Sequence, residues 1–150
     1  MLNQGLFSSE KQDWCTPQQF FDELDAEFHF VLDAAATHQN SKCKRCFTPE
    51  DDGLIQNWDM GGGAVYCNPP YGKEIGLWVK KAYEEAQKGT TIVMLIPART
   101  DTKYFHEYIY HKAEIRFVKG RLKFTDENGT PKGTAPFPSM VVIYNRKDNQ

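Results

Sequence analysis

The chain has 150 residues, of which 40% are hydrophobic and 13% aromatic, enough apolar material for the core of one domain. Mean hydropathy is −0.62, and no apolar run approaches the roughly 18 residues needed to cross a bilayer, which excludes a helical membrane protein. Net charge is −2, but residues 1–72 hold 4 Lys/Arg against 11 Asp/Glu whereas residues 73–150 hold 14 against 9, so the basic character that would meet a polyanion is concentrated in the second half.

Residues 1–13 read as a flexible leader without the charged-then-apolar pattern of a secretory signal, and residues 14–150 as a single domain expected in the cytoplasm. Thr16-Pro17-Gln18-Gln19 predicts a helix start, with Thr as N-cap, Pro at the first helical position and Gln19 closing a capping box. Phe20, Phe21, Leu24 and Phe28 follow at helical spacing, on a helix ending near Glu27. His29 to Leu32 reads as a short buried strand that runs into Asp33-Ala34-Ala35-Ala36, an acid followed by a turn of small residues. Residues 37–63 are irregular and end in Gly61-Gly62-Gly63. A second strand, Ala64 to Cys67, stops at Asn68-Pro69-Pro70-Tyr71-Gly72.

Ile75, Trp78, Val79, Ala82 and Ala86 mark a helix that Gly89 ends. Thr91 to Ile96 is continuously apolar, as expected of a strand covered on both faces. A helix is predicted from about Asp101 to His111, a strand over Ile115–Val118, a turn with a short extended piece over Gly120–Phe124, a Gly/Pro/Thr-rich loop over 126–138, and a last strand over Met140–Tyr144. This alternation predicts an α/β domain with a mostly parallel sheet.

The residues richest in chemistry are Asn68-Pro69-Pro70-Tyr71. In open α/β sheets ligands bind at the carboxyl ends of strands, which is where this tetrapeptide falls. Asn68 offers a side-chain carbonyl, and two prolines hold the backbone extended with carbonyls but no N–H groups, so the turn is a cluster of acceptors. Tyr71 sets an aromatic face beside it. Acceptors next to a flat ring suit an amino group on a planar heterocycle: accepting both amine hydrogens localises the nitrogen lone pair and stabilises the positive charge that grows as it attacks an electrophile.

A strand ending in Asp/Asn-Pro-Pro-Tyr/Phe/Trp resembles the signature of amino-group methyltransferases. More closely, the chain resembles the small phage-encoded Dam-like DNA N6-adenine methyltransferases, from about Thr16 to Tyr144. Thr16-Pro17, Leu32 to Ala36, Asp52-Gly53-Leu54 with Trp58, Pro97 to Thr100, Gly120 to Phe124 and Pro136 to Ser139 carry that likeness alongside the tetrapeptide. The resemblance implies a reduced Rossmann-like S-adenosylmethionine-dependent methyltransferase fold, S-adenosylmethionine as cofactor, double-stranded DNA as partner and, for a phage enzyme, the host cytoplasm as its location. It implies that Asn68 and the Pro69 carbonyl hold the target amine, with Pro70 stiffening the turn and Tyr71 stacking on an adenine flipped from the duplex. It assigns Thr16, Pro17, Asp33, Ala34 and Ala35 to the methionine side of the cofactor and Asp52 to its ribose.

Two departures stand out. Alanines replace the usual glycine-rich turn, and only about 30 residues separate the first strand from Asn68 where two βαβ crossovers would need roughly 60. Arg99, Lys103, Arg121 and Lys123 are the candidate DNA contacts, with Arg116 and Lys119 adding nonspecific attraction, and the loops 37–63 and 120–138 are the candidate readers of sequence. Phe105 and Phe137 are read as core residues or wedges beside a flipped base. Rival readings are a methyltransferase acting on an amine or amide of RNA or protein, and a non-catalytic nucleic-acid module with zinc at Cys43 and Cys46; two cysteines without two further ligands favour no metal.

Overall fold

A computed structural model describes residues 14–145; the leader read over 1–13 lies outside the described residues. Among the described residues five strands form one sheet: β1 (Phe30–Asp33), β2 (Ala64–Cys67), β3 (Thr91–Pro97), β4 (Glu114–Phe117) and β5 (Ser139–Tyr144), in the order β1-β2-β3-β5-β4. Helix α1 (Gln18–Phe28) precedes β1 and helix α2 (Ile75–Gln87) joins β2 to β3. No helix among the described residues is long and apolar enough to cross a membrane.

The expected mostly parallel sheet is corrected to a mixed one. β1, β2 and β3 run parallel, but β5 is antiparallel to both of its neighbours, β3 and β4. The cause is the connection: β4 and β5 are joined by residues 118–138 at one end of the sheet, with no crossover helix to carry the chain back, so the returning strand runs the other way. β5 lies between β3 and β4, and all six of its residues are buried.

Period-two alternation sends neighbouring residues of the inner strands to opposite faces. On one face Leu32, Val65, Cys67, Ile92, Met94 and Ile96 meet Trp78, Val79, Ala82 and Ala86 of α2, together with Phe105 and Ile109. On the other face Tyr66, Val93, Leu95, Val141 and Ile143 meet Phe21 and Leu24 of α1, and Phe124, Ala135 and Phe137 from the long loop. The domain is therefore three-layered, and its final loop shares with α1 the covering of one face.

Three local expectations change. Thr16 does not cap α1, whose N-cap is Pro17 without any side-chain bond; the Thr16 hydroxyl pairs instead with the buried Tyr66 hydroxyl at 2.5 Å. His29 is not the first residue of β1 but the left-handed cap of α1, at φ 59°. The helix predicted over 101–111 is instead a wider π-helical turn at Phe105–Ile109, in which the Tyr110 N–H reaches the Phe105 carbonyl at 2.8 Å.

The shortened link between β1 and β2 holds no crossover helix, only the 3-10 turn Gly53–Ile55. In its place, the backbone around Cys46 pairs with the end of β1: Asp33 N–H donates to the Arg45 carbonyl, and Phe47 N–H donates back to the Asp33 carbonyl, both at 3.0 Å. Trp58, fully buried, anchors the remainder of this link by donating its indole N–H to the Gly53 carbonyl and its backbone N–H to Glu85.

Candidate active site

β1, β2, β3 and β4 all end on one edge of the sheet, and the predicted site residues gather there. Immediately after β2, the Asn68 amide donates to the carbonyl of Trp14 at 2.7 Å, and its oxygen accepts from the Tyr71 hydroxyl. That hydroxyl also lies 2.9 Å from the Leu95 carbonyl. Among the described residues no donor occupies the carbonyls of Pro69 or Pro70. Burial pushes the Tyr71 phenol well above its ordinary range, so it stays a neutral donor.

The Tyr71 ring meets Phe137 and Phe124 nearly edge-on, with centroids 5.6 and 6.2 Å away. Trp14 meets the same two phenylalanines at 5.3 and 5.7 Å, and the Lys132 ammonium sits 4.4 Å from its ring centroid. Trp14, Phe124, Phe137 and Tyr71 thus wall one side of the acceptor cluster. Trp14 and Phe124 were missed by sequence reasoning as site residues, and Phe137 was weighed only as core or wedge. The available signal was position, since Phe124 and Phe137 lie within segments that carry the family likeness and Trp14 stands two residues before Thr16-Pro17. Phe105, the other candidate wedge, is 5% exposed and packs in the α2-side core.

Asp33, the last residue of β1, is 3% exposed. One carboxylate oxygen accepts the Lys42 N–H at 2.9 Å, and the other has no hydrogen-bond partner. Burial pushes its pKa up to about 7, against the opposing pull of the Lys42 and Ala35 N–H groups and the Lys42 charge. A buried acceptor left open in this way fits a cationic amine, such as the methionine ammonium of S-adenosylmethionine. Ala34 is fully buried, and its N–H is bonded to the Tyr66 carbonyl. Its own carbonyl lies against Gly53, where a Cβ would strike both that carbonyl and the Trp78 ring. The small side chains therefore permit close packing of the Gly53 turn on β1. Ala35 is only partly buried beside them.

Asp52 caps the 3-10 turn, from a left-handed backbone at φ 58°, by accepting the Leu54 N–H at 3.2 Å. Pro17 accepts the first backbone bond of α1, from Phe21. The structure brings Asn68, Pro69, Pro70 and Tyr71 together at the end of β2, with Asp33 and Ala34 at the end of the adjacent β1.

The candidate DNA contacts all leave the same edge of the sheet. Arg99 is exposed just past β3, and Lys123 is exposed on the segment after β4. Arg121 is exposed there too, with one guanidinium nitrogen on the Ala135 carbonyl at 3.1 Å. Lys103 lies 3.9 Å from Glu107. Arg116 is bound differently: its guanidinium is bidentate on Glu27 and also bonded to Glu114, all at 2.8 Å, so it ties α1 to β4. The loops 37–63 and 120–138 touch through Gln39 and Asn128, whose side chains are hydrogen-bonded.

Among the described residues no three His, Cys, Asp or Glu side chains gather as a metal site. Burial, with Asp33, Asp25 and Cys46 nearby, pushes the Cys43 thiol up to about 12, so it stands as a protonated thiol.

Among known proteins, the chain is 29% identical over 151 residues to a DNA N-6-adenine-methyltransferase of Haemophilus phage HP1, a match spanning 98% of this chain and 86% of that protein. It is 33% identical over 110 residues to a DNA N-6-adenine-methyltransferase of Escherichia phage T1, spanning 73% of this chain and 45% of that protein. The family described as DNA N-6-adenine-methyltransferase (Dam) matches residues 4–150. With that match running almost the whole length of the sequence, the chain belongs to the DNA N-6-adenine-methyltransferase (Dam) family.

Proposed function

We propose that this enzyme methylates the N6 amine of adenine in double-stranded DNA with S-adenosylmethionine as donor, acting on an adenine turned out of the helix into the aromatic-walled recess beside Asn68. The observation that carries this reading is the acceptor set at the end of β2. The Asn68 oxygen keeps a lone pair beyond the one facing Tyr71, and the Pro69 carbonyl accepts nothing among the described residues.

When bound, S-adenosylmethionine supplies an electrophilic methyl group. Asp33 would hold its ammonium through the carboxylate oxygen that now lacks a partner, with Ala34 and Ala35 giving room beside it. Thr16 and Pro17 border this region through the Tyr66 contact, and Asp52 lies on the turn packed against Ala34.

The chain's own residues do the rest. Asn68 and Pro69 accept the two amine hydrogens, which withdraws the nitrogen lone pair from the ring and turns it toward the methyl group. As the nitrogen becomes positively charged, the same two oxygens stabilise it, and its surplus proton then passes to water. Tyr71, with Phe137 and Trp14, offers ring surface to the extruded base. Arg99, Lys103, Arg121 and Lys123 surround this edge with positive charge for the phosphates.

The test is transfer of labelled methyl from S-adenosylmethionine into duplex DNA, followed by nucleoside analysis. Label in N6-methyladenine is expected. Label only in RNA, in protein or in another base would overturn the reading.

A further inference from the structure

An asparagine serves as an acceptor only if its amide is turned the right way. Rotated by 180° about its last bond, Asn68 would present an NH₂ group to the substrate amine, donor against donor, and the site would have no side-chain acceptor. The two groups that already touch the amide differ in what they tolerate. The Tyr71 hydroxyl can donate to an oxygen or, by aiming its proton at the Leu95 carbonyl 2.9 Å away, accept from a nitrogen. A backbone carbonyl can only accept. The atom of Asn68 that lies 2.7 Å from the Trp14 carbonyl therefore has to be nitrogen.

We infer that the Trp14 carbonyl is the positioning group of the active site: it fixes the amide orientation of Asn68 and so directs the side-chain oxygen to the substrate amine. The inference rests on the function proposed above, and it gives the segment 14–16 a role that packing alone does not. That segment is held from both sides. Cys15 exchanges two backbone hydrogen bonds with Thr125 at 3.0 Å each, and the Thr16 hydroxyl is tied to Tyr66 inside the core. The Trp14 ring is gripped by Phe124 and Phe137 beneath the Lys132 ammonium. The carbonyl that selects the acceptor is thus carried by the same strap-and-hairpin unit, residues 14–16 and 124–132, that borders the basic loop.

The family signature admits either an acid or an amide at position 68, but this chain should accept only the amide. An ionised carboxylate at that position would set an oxygen against the Trp14 carbonyl with no proton between them. A protonated carboxyl would restore the asparagine pattern, with O–H toward Trp14 and C=O toward the substrate. Asn68→Asp is therefore expected to transfer methyl at least a hundredfold more slowly than wild type at pH 8 in single turnovers. Its rate relative to wild type should climb up to tenfold per unit as pH falls toward the midpoint of the introduced carboxyl. The ¹³C titration of that carboxyl should show a midpoint at least one unit above the ordinary value of about 3.9. A near-normal rate, or a loss equal at every pH with an ordinary midpoint, would overturn the inference.

The wild-type protein supplies a second measurement that needs no variant. One Asn68 side-chain N–H should exchange at least tenfold more slowly than those of exposed Asn57; equal exchange would also overturn the inference. The titration and the exchange measurement do not involve methyl transfer. If wild-type protein failed to methylate adenine while both gave the expected result, the proposed function would fall and the orientation of Asn68 would stand.

Discussion

The two edges of the sheet are built from similar materials and treated in opposite ways. At the edge where β1, β2 and β3 begin, polar groups close on one another. Glu27 is bidentate with Arg116, Lys88 pairs with Glu85 at 2.9 Å, and Asn145 bonds the carbonyls of Ala86 and Thr90. A cleft of about 580 Å³ opens there, lined among others by Glu27, Phe28, Asp59, Gly63, Lys88 and Thr91; Glu27 and Lys88 are already ion-paired with neighbours, and Asp59 accepts the Gly61 N–H. At the opposite edge an Asp33 oxygen is buried without a partner, and two proline carbonyls accept nothing among the described residues. The presence of a cleft therefore does not by itself mark the candidate site. Unsatisfied hydrogen-bonding capacity held in place by a rigid sheet marks the site better.

Asn68→Ala strikes this contrast between the edges at its strongest point. It should lower single-turnover methyl transfer by about a thousandfold while leaving cofactor affinity unchanged by calorimetry, since one preorganised acceptor is removed from the developing charge. A near-normal rate would show that the acceptors at the end of β2 are not where the chemistry occurs.

At the other edge the expected damage is to stability. Burial raises the Glu85 pKa, but the Lys88 ammonium, the Trp58 N–H and the Lys81 ammonium more than offset this and hold the carboxyl below its usual range. Glu85→Ala leaves the buried Trp58 N–H without a partner and should cost about 2 kcal/mol in urea unfolding, with methyl transfer unchanged in the fraction that remains folded. Because the folded pKa is depressed, the stability that Glu85 contributes is present at neutral pH and disappears as pH falls through that lowered value.

Asp33 should show the reverse dependence. Folded, it keeps its proton up to about pH 7, against an ordinary value of 3.8. The folded state therefore binds the extra proton between about pH 4 and 7, and stability falls as pH rises through that window. Asp33→Asn should remove this slope and raise the Tm at pH 8. It should also weaken S-adenosylmethionine binding about tenfold at that pH, and abolish the tightening of wild-type binding between pH 6 and 8. A variant that melts higher but binds the cofactor equally well would separate the open oxygen from the cofactor site.

The smallest effects concern DNA. Arg121→Ala with Lys123→Ala should weaken duplex binding several-fold and reduce the magnitude of the salt slope by about two, whereas Lys88→Ala, at the far edge, should leave both unchanged. Equal losses from the two sets would mean that the basic half of the sequence acts through net charge and not through a face.

What could be read ahead of the structure depended on how local the signal was. The continuous apolar run at Thr91–Ile96 predicted a doubly covered strand, and all of β3 beyond its first residue is buried. The Asn-Pro-Pro-Tyr turn announced its own chemistry because proline chemistry and strand termination are encoded within five residues. The direction of β5 was not legible in the same way. Met140–Tyr144 has the same composition whether it runs up or down the sheet, and only the absence of a helical pattern between Phe117 and Ser139 carried the information. Thr16 misled for a related reason: a Thr-Pro-x-Gln string has the local chemistry of a capping box, but a buried tyrosine hydroxyl fifty residues away was the better partner. The role of Trp14 was invisible because it lies in a carbonyl, a group that every residue possesses.

The placement of β5 also bears on how the protein is made. β5 fills the gap between β3 and β4, so a nascent chain that has emerged only as far as Phe137 has β4 unpaired and one edge of β3 open. Asn68 and its acceptors are synthesised early, yet Phe137 and the strand that anchors it come late. A chain cut anywhere before Ser139 therefore lacks the strand that joins β3 to β4, and should yield aggregating fragments rather than a weakened methyltransferase.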